Sequence, residues 1–217
     1  MARISHDQVA RYHPLLVALH WLLAILIATA LALGALVLVK ISNSDPMKIE
    51  ALRGHMVGGS LILLLTLIRL RVRARTTHPA TATTGTPGLD RLAWVSHRML
   101  YGAVLVMVGS GLVMALQVGL PAIVFGGEGV LPADFWVFPA RTVHYVASLV
   151  IMGLIGLHVA GALYHTLILR DGLLRRMLFG RRVLTGTNSA LVLDPQLLDP
   201  QLLGPQLLGP QLSGRQS

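Results

Sequence analysis

Residues 143–165 read VHYVASLVIMGLIGLHVAGALYH. The stretch holds no Asp, Glu, Lys or Arg, and it reaches the roughly 20 apolar residues an α-helix needs to cross a bilayer. Yet His144, His158 and His165 lie within it. An ionisable ring inside a span is costly, so each is read first as a functional position. At about 100° and 1.5 Å per residue, His144 and His158 fall about 40° apart on one face and about 21 Å apart along the axis. His165 returns to nearly the same face two turns later. One helix therefore offers a histidine near each surface of a membrane.

Three more apolar runs flank this one, from about Pro14 to Val39, Gly54 to Leu70 and Ala93 to Val118, and the fourth continues to Leu169. Composition agrees: 54% of residues are hydrophobic and 12% charged, against about 25% charged in a soluble domain. Mean hydropathy is +0.68. The expected fold is all-α, an integral membrane four-helix bundle. The first run is too long for the apolar core of a signal peptide and is kept as a span. The absence of cysteine excludes disulfides, thiolate-held iron–sulfur clusters and covalent c-type haem.

Charge sets the orientation. Arg3 and Arg11 precede the first run, Arg69, Arg71, Arg73, Arg75, Arg91 and Arg98 surround the second connection, and Arg170, Arg175, Arg176, Arg181 and Arg182 follow the fourth run. The other two connections hold Lys40, Lys48, Arg53 and Arg141, offset by Asp45, Glu50, Glu128 and Asp134. The positive-inside rule then places both termini in the cytoplasm. The net charge of +9 reads as topology. Clusters that hug span ends meet lipid headgroups, so nucleic acid is not an expected partner.

Residues 1–13 form a short cytoplasmic segment, residues 14–182 the helical domain, and residues 183–217 a tail. In the tail LDPQLLDPQLLGPQLLGPQL repeats every five residues, with Pro195, Pro200, Pro205 and Pro210 in register. Proline at that spacing forbids a continuous helix and removes sheet donors, so an extended or disordered tail is expected. The long third connection, GLPAIVFGGEGVLPADFWVFPAR, is apolar and aromatic enough to pack on the bundle or lie at the interface.

Placing the other histidines by depth gives a constellation. His20 opens the first span near the inner face, and His55 opens the second near the outer face. Depth matches His20 with His158 and His55 with His144. Two neutral imidazoles from facing helices can hold a metal ion or a haem iron. Gly58 and Gly59, and Gly153, Gly156 and Gly161, allow backbone to retreat from a flat group. A lone histidine in a span also often does no more than hydrogen-bond a neighbouring helix. Zinc is the rival metal, but structural zinc takes four ligands and each pair offers two. His97 and His165 stand near the inner face outside the pairs; His6, His13 and His78 carry no signal.

The residues LHW at His20, GHMVGGSLILLLTLIRLRVR from Gly54, SHRMLYGAVLVMVGSGLVM from Ser96 and GLHVAGALYHTLILRDGLLRRML from Gly156 resemble the bacterial cytochrome b561 family, over roughly residues 10 to 182. Each motif alone is weak, and the ordered set is specific. The third connection and the pentad tail do not look typical of it. The resemblance implies two non-covalent b haems, one held by His20 and His158 and the other by His55 and His144, in a multi-pass protein of the bacterial inner (plasma) membrane. It implies electron transfer with membrane quinone, which could be ubiquinone. One member type oxidises superoxide at the outer face, acting as a superoxide:ubiquinone oxidoreductase. Relatives serve as cytochrome subunits of hydrogenases and formate dehydrogenases. The donor, superoxide or a partner protein, stays open, as does a haem-free structural or transport bundle. On this reading Arg69, His97 and His165 contact an inner haem propionate or quinone, with His165 as a proton relay. Arg53 and Arg141 contact an outer propionate or steer superoxide.

Overall fold

The computed structural model describes residues 8–9, 11–180 and 184–185. The pentad tail and most of residues 1–10 lie outside the described residues, and with them His6. Four helices carry the fold: α1 (Pro14–Ala32), α2 (Pro46–Arg75), α3 (Pro87–Val118) and α4 (Pro139–Leu163). Each opens on proline, whose fixed φ suits the first helical position and whose missing N–H would go unpaired there anyway. His13 Nδ1 accepts the Leu15 N–H at 3.2 Å, and Asp45 Oδ1 accepts the Met47 N–H at 2.9 Å, so two of these starts are also capped by side chains. Two strands of two residues each, Gln8–Val9 and Leu184–Thr185, lie outside the helices.

The helices begin earlier than the apolar runs: α2 at Pro46 where the run starts near Gly54, α3 at Pro87 where it starts near Ala93, and α4 at Pro139 where it starts near Val143. Hydropathy marks only what meets hydrocarbon. With their terminal extensions the four spans hold 25, 30, 32 and 31 residues. At about 1.5 Å per residue the last three reach about 45–48 Å, so polar first turns project beyond a hydrocarbon core of about 30 Å. The outward side chains, such as Ile25, Leu36, Leu64 and Leu116, are apolar and exposed, as a lipid-facing surface requires.

Two spans end in π-helical turns. α1 runs on through Leu33–Leu38, and the carbonyls of Leu38 and Ile41 there accept the buried Lys48 ammonium, Ile41 at 2.9 Å. That cation satisfies orphan carbonyls at a helix C-terminus. α4 runs on through Tyr164–Leu169, then turns at Arg170 into a 3₁₀ turn at Leu173–Met177. α3 stops sharply at Gly119, whose φ of 74° suits a left-handed cap.

α1 packs along α2 and α3 along α4. A mid-depth layer takes one buried side chain from each helix, Leu23, Ile62, Val104 and Ile151. A second cluster, Leu52, Ala115, Leu120, Val124 and Phe135, closes the far end. Three of its members belong to the long connection, which packs on the bundle as its composition suggests. At the other end, residues 11–12 and 176–179 are stitched together, Tyr12 N–H to Arg176 O and Arg11 to Phe179 O. That end is the proximal one, and the end closed by the long connection the distal one.

Candidate functional site

The two pairs expected from depth are both formed. At the proximal end the rings of His20 and His158 stand 6.1 Å apart, centre to centre, with 68° between their planes. At the distal end His55 and His144 stand 6.1 Å apart at 71°. An imidazole–metal–imidazole axis spans about 6.2 Å, taking about 2.0 Å per metal–nitrogen bond and about 1.1 Å from each ring nitrogen to its ring centre. The observed spacing equals that of two rings sharing one metal atom, and it is equally that of an edge-to-face ring contact.

The rings meet although the helices that carry them do not pack closely. α4 supplies one ring to each pair, yet it lies along α3, and its backbone stays apart from those of α1 and α2. Gly58, Gly59, Gly153, Gly156 and Gly161 each face open space where a Cβ would stand. The glycines that approach a paired histidine ring are others: a Cβ on Gly111 would meet His144 Cε1 at 3.0 Å, and one on Gly34 would meet His55 Cε1 at 3.8 Å.

Hydrogen bonds fix the free atom of one ring. His144 Nδ1 lies 2.9 Å from Met107 O and 3.2 Å from Ser110 Oγ. A carbonyl only accepts, so Nδ1 carries the proton and Nε2 keeps its lone pair for a metal. His55 Nδ1 is buried with no hydrogen-bond partner among the described residues. An unpaired buried polar atom costs about 1–3 kcal/mol, a cost that a bound group would remove. No set of three or more His, Asp or Glu side chains converges on one point among the described residues, so neither pair has the makings of a structural zinc site. The donor set fits haem: two imidazoles from facing helices at each end, with an apolar layer between the pairs.

The other proximal residues surround this pair. The His97 ring lies 5.0 Å from that of His158, and its Nδ1–H donates to Ala93 O at 2.6 Å. Arg69 donates from Nη1 to Leu16 O at 2.6 Å and from Nε to the Tyr101 hydroxyl at 3.1 Å. It thereby ties α2 to α1 and α3, with its charge in electrostatic reach of both His20 and His158. His165 is buried and bonds Asp171 at 2.5 Å.

The two distal arginines differ. Arg53 grips the Val124 carbonyl from Nη2 at 2.7 Å and pairs with Glu50 at 2.7 Å, so it anchors the long connection. Arg141 rests its guanidinium 4.5 Å over the Trp136 ring, and its charge reaches both His55 and His144. Of the two, Arg141 is the cation that faces the distal pair.

The sequence model of the family described as prokaryotic cytochrome b561 matches residues 11–180. The chain belongs to the prokaryotic cytochrome b561 family. No match emerges among curated proteins. Membership makes the chain a multi-pass b-type membrane cytochrome of electron transfer, and haem b its cofactor class. Within this b561 chain, sequence reasoning missed Gly111, Gly34 and Ser110, which shape the distal rings, and Asp171, which holds His165. Only Asp171 carried a local signal, as the acid of RDG directly after the fourth span.

Proposed function

We infer that the protein carries electrons across the bacterial inner membrane through two non-covalent b haems, from a donor at the distal face to a membrane quinone at the proximal face. One observation carries this reading: two histidine pairs, each 6.1 Å across, at opposite ends of α4. His20 and His158 would hold the proximal haem, and His55 and His144 the distal one. Charge distribution supports a cytoplasmic proximal end and an outer distal end. Haem held by these histidines would supply one-electron chemistry suited to electron transfer.

The chain's own residues do the rest. Met107 O and Ser110 orient His144. The Leu23, Ile62, Val104 and Ile151 layer excludes water between the pairs. Arg141 gives the distal face a cation for an anionic donor, and superoxide is the donor proposed. Arg69 and His97 border the proximal pair, where a haem propionate or a quinone would meet them.

The test is transient kinetics on purified protein. Superoxide should reduce the haems, and a short-chain ubiquinone should reoxidise them. Failure of superoxide with intact quinone oxidation removes that donor, and failure of both removes the reading. A second reading makes the chain a cytochrome subunit of a larger dehydrogenase or hydrogenase complex. Val130, Trp136 and Val137 favour it, since they stand exposed on the long connection where a distal partner would sit. Copurification of a catalytic subunit would establish it.

A further inference from the structure

The two rings of the distal pair are held in different ways. His144 is oriented by its Nδ1 contacts to Met107 O and Ser110 Oγ. His55 has no such support: its Nδ1 is buried, and no hydrogen bond reaches it among the described residues. A histidine that ligates a metal almost always donates its other ring N–H to an acceptor, and that bond sets the ring. At His55 the setting must come from packing. One close neighbour of the ring is Gly34, where a Cβ would lie 3.8 Å from His55 Cε1.

Gly34 belongs to the π-helical end of α1, Leu33–Leu38, where Val39 N–H closes on Gly34 O at 3.3 Å. Lys48 grips that end from α2. Its ammonium donates to Leu38 O and to Ile41 O, the latter at 2.9 Å, and the residue is only 7% exposed. A buried ammonium is costly unless its donors are used, and here the acceptors are main-chain carbonyls, with no carboxylate among them. Leu38 also packs against the buried cluster of Leu52 and Val124. Seven residues separate Lys48 from His55, so both lie on nearly one face of α2, about 10 Å apart along its axis. That face holds the end of α1 with one side chain and sets the other against the turn so held. Lys40, at the same end of the bundle, is exposed.

We propose that Lys48 is a positioning residue for the distal haem: by clamping the π-helical end of α1 to α2, it fixes the surface against which the His55 ring is set. This rests on the two-haem reading above. Packing replaces the missing hydrogen bond only while the packed surface stays in place, and a helix end frays unless its last carbonyls are satisfied. Lys48 satisfies two of them from the helix that carries the ring, so the turn and His55 are held as one unit. Without the ammonium, Leu38 O and Ile41 O lose their donor, the turn loosens and His55 keeps neither kind of support. The proximal pair lies at the other end of the bundle and does not depend on this clamp.

The experiment compares haem-loaded wild type with Lys48→Met, Lys48→Arg and Lys40→Met. The readouts are the electron paramagnetic resonance signal of each low-spin ferric haem, its potential in a redox titration, and its rate of transfer to apomyoglobin. The distal component is the one that His144→Ala removes. In Lys48→Met its signal and potential should shift, and it should leave the protein about tenfold faster, with the proximal component unchanged. Lys48→Arg keeps a cation with several donors and should restore most of this. Lys40→Met removes an exposed charge from the same end and should change neither component. If Lys48→Met does not insert, Lys48→Gln, which donates without a charge and on a shorter stem, replaces it with the same expectation. Distal signal, potential and haem retention all at wild-type values in the Lys48 variant overturn the proposal. So does an equal shift in Lys40→Met, which assigns the effect to surface charge, and so does loss of both haems, which assigns Lys48 to the bundle as a whole. Wild type with fewer than two low-spin components overturns the two-haem reading, and the role of Lys48 with it.

Discussion

A side chain added at Gly111 should strike the distal pair and spare the proximal one. Its Cβ would stand 3.0 Å from His144 Cε1 and 3.3 Å from Nδ1. Ordinary carbon contacts lie at about 3.5–4.0 Å, so in Gly111→Ala the ring must give by about 0.5 Å. That is the whole positional tolerance of a preorganised site, about 0.5 Å. The same shift stretches the 2.9 Å bond from His144 Nδ1 to Met107 O toward its useful limit. Losing one such bond costs about 1 kcal/mol, or about a fivefold weaker hold on the distal haem. Gly111→Val adds two methyl groups at the same place and should empty the distal site. The helix itself gains from either change in backbone entropy, Ala over Gly by about 0.5–1 kcal/mol, so general unfolding is not the expected route. Gly34→Ala is the control, since its Cβ meets His55 at 3.8 Å, an ordinary contact. The assay is a potentiometric titration with haem quantitation. Gly111→Val should show one redox component and Gly34→Ala two. A Gly111→Val protein that keeps both components at wild-type potentials would refute the reasoning.

Other consequences follow from the same contacts. His158→Ala should lose the proximal haem and keep the distal one, because about 21 Å of helix separates its site from His144; loss of both from protein that still inserts would show the sites to be inseparable. Burial alone raises the Asp171 carboxyl, but hydrogen bonds from His165 and the Leu173 amide, with the charges of His165 and Arg176, outweigh it and hold it below the usual carboxylate range. A depressed acid contributes stability above its unfolded value and loses it as pH falls through the folded one. The strap over residues 171–180 should therefore resist protease through the ordinary carboxylate range and yield only in stronger acid, whereas Asp171→Asn should expose it at neutral pH. Truncation after Arg182 should leave insertion and haem content unchanged, since a proline in every fifth position cannot supply packed helix; a large loss of haem would assign the tail a structural part.

The spans and the pairing of His20 with His158 and His55 with His144 are legible because they depend on counts along one chain: apolar run length, turn per residue, and alternation of direction. The helix starts are less so. Asp45 and Pro46 signal a cap, but the polar turn they begin reads as linker until α2 is seen to project beyond the apolar zone. Arg53 is the clearest case of a role hidden from sequence. Its position two residues before His55 points toward that ring, while its partner, the Val124 carbonyl, sits on a loop 71 residues away. Gly111 hides for the same reason. Nothing in VGSG reveals that another helix brings His144 against it. Contacts set by inter-helix packing have no local period, and so no local signal.

The central claim is two non-covalent, bis-histidine b haems in one chain. Haem quantitation of the purified protein by the pyridine haemochrome method, after extraction with acidified acetone, tests it most directly. Close to two haems per polypeptide are expected, all extractable, each low-spin and each titrating as its own component. A value near zero, a value near one, or a haem that resists extraction would contradict it.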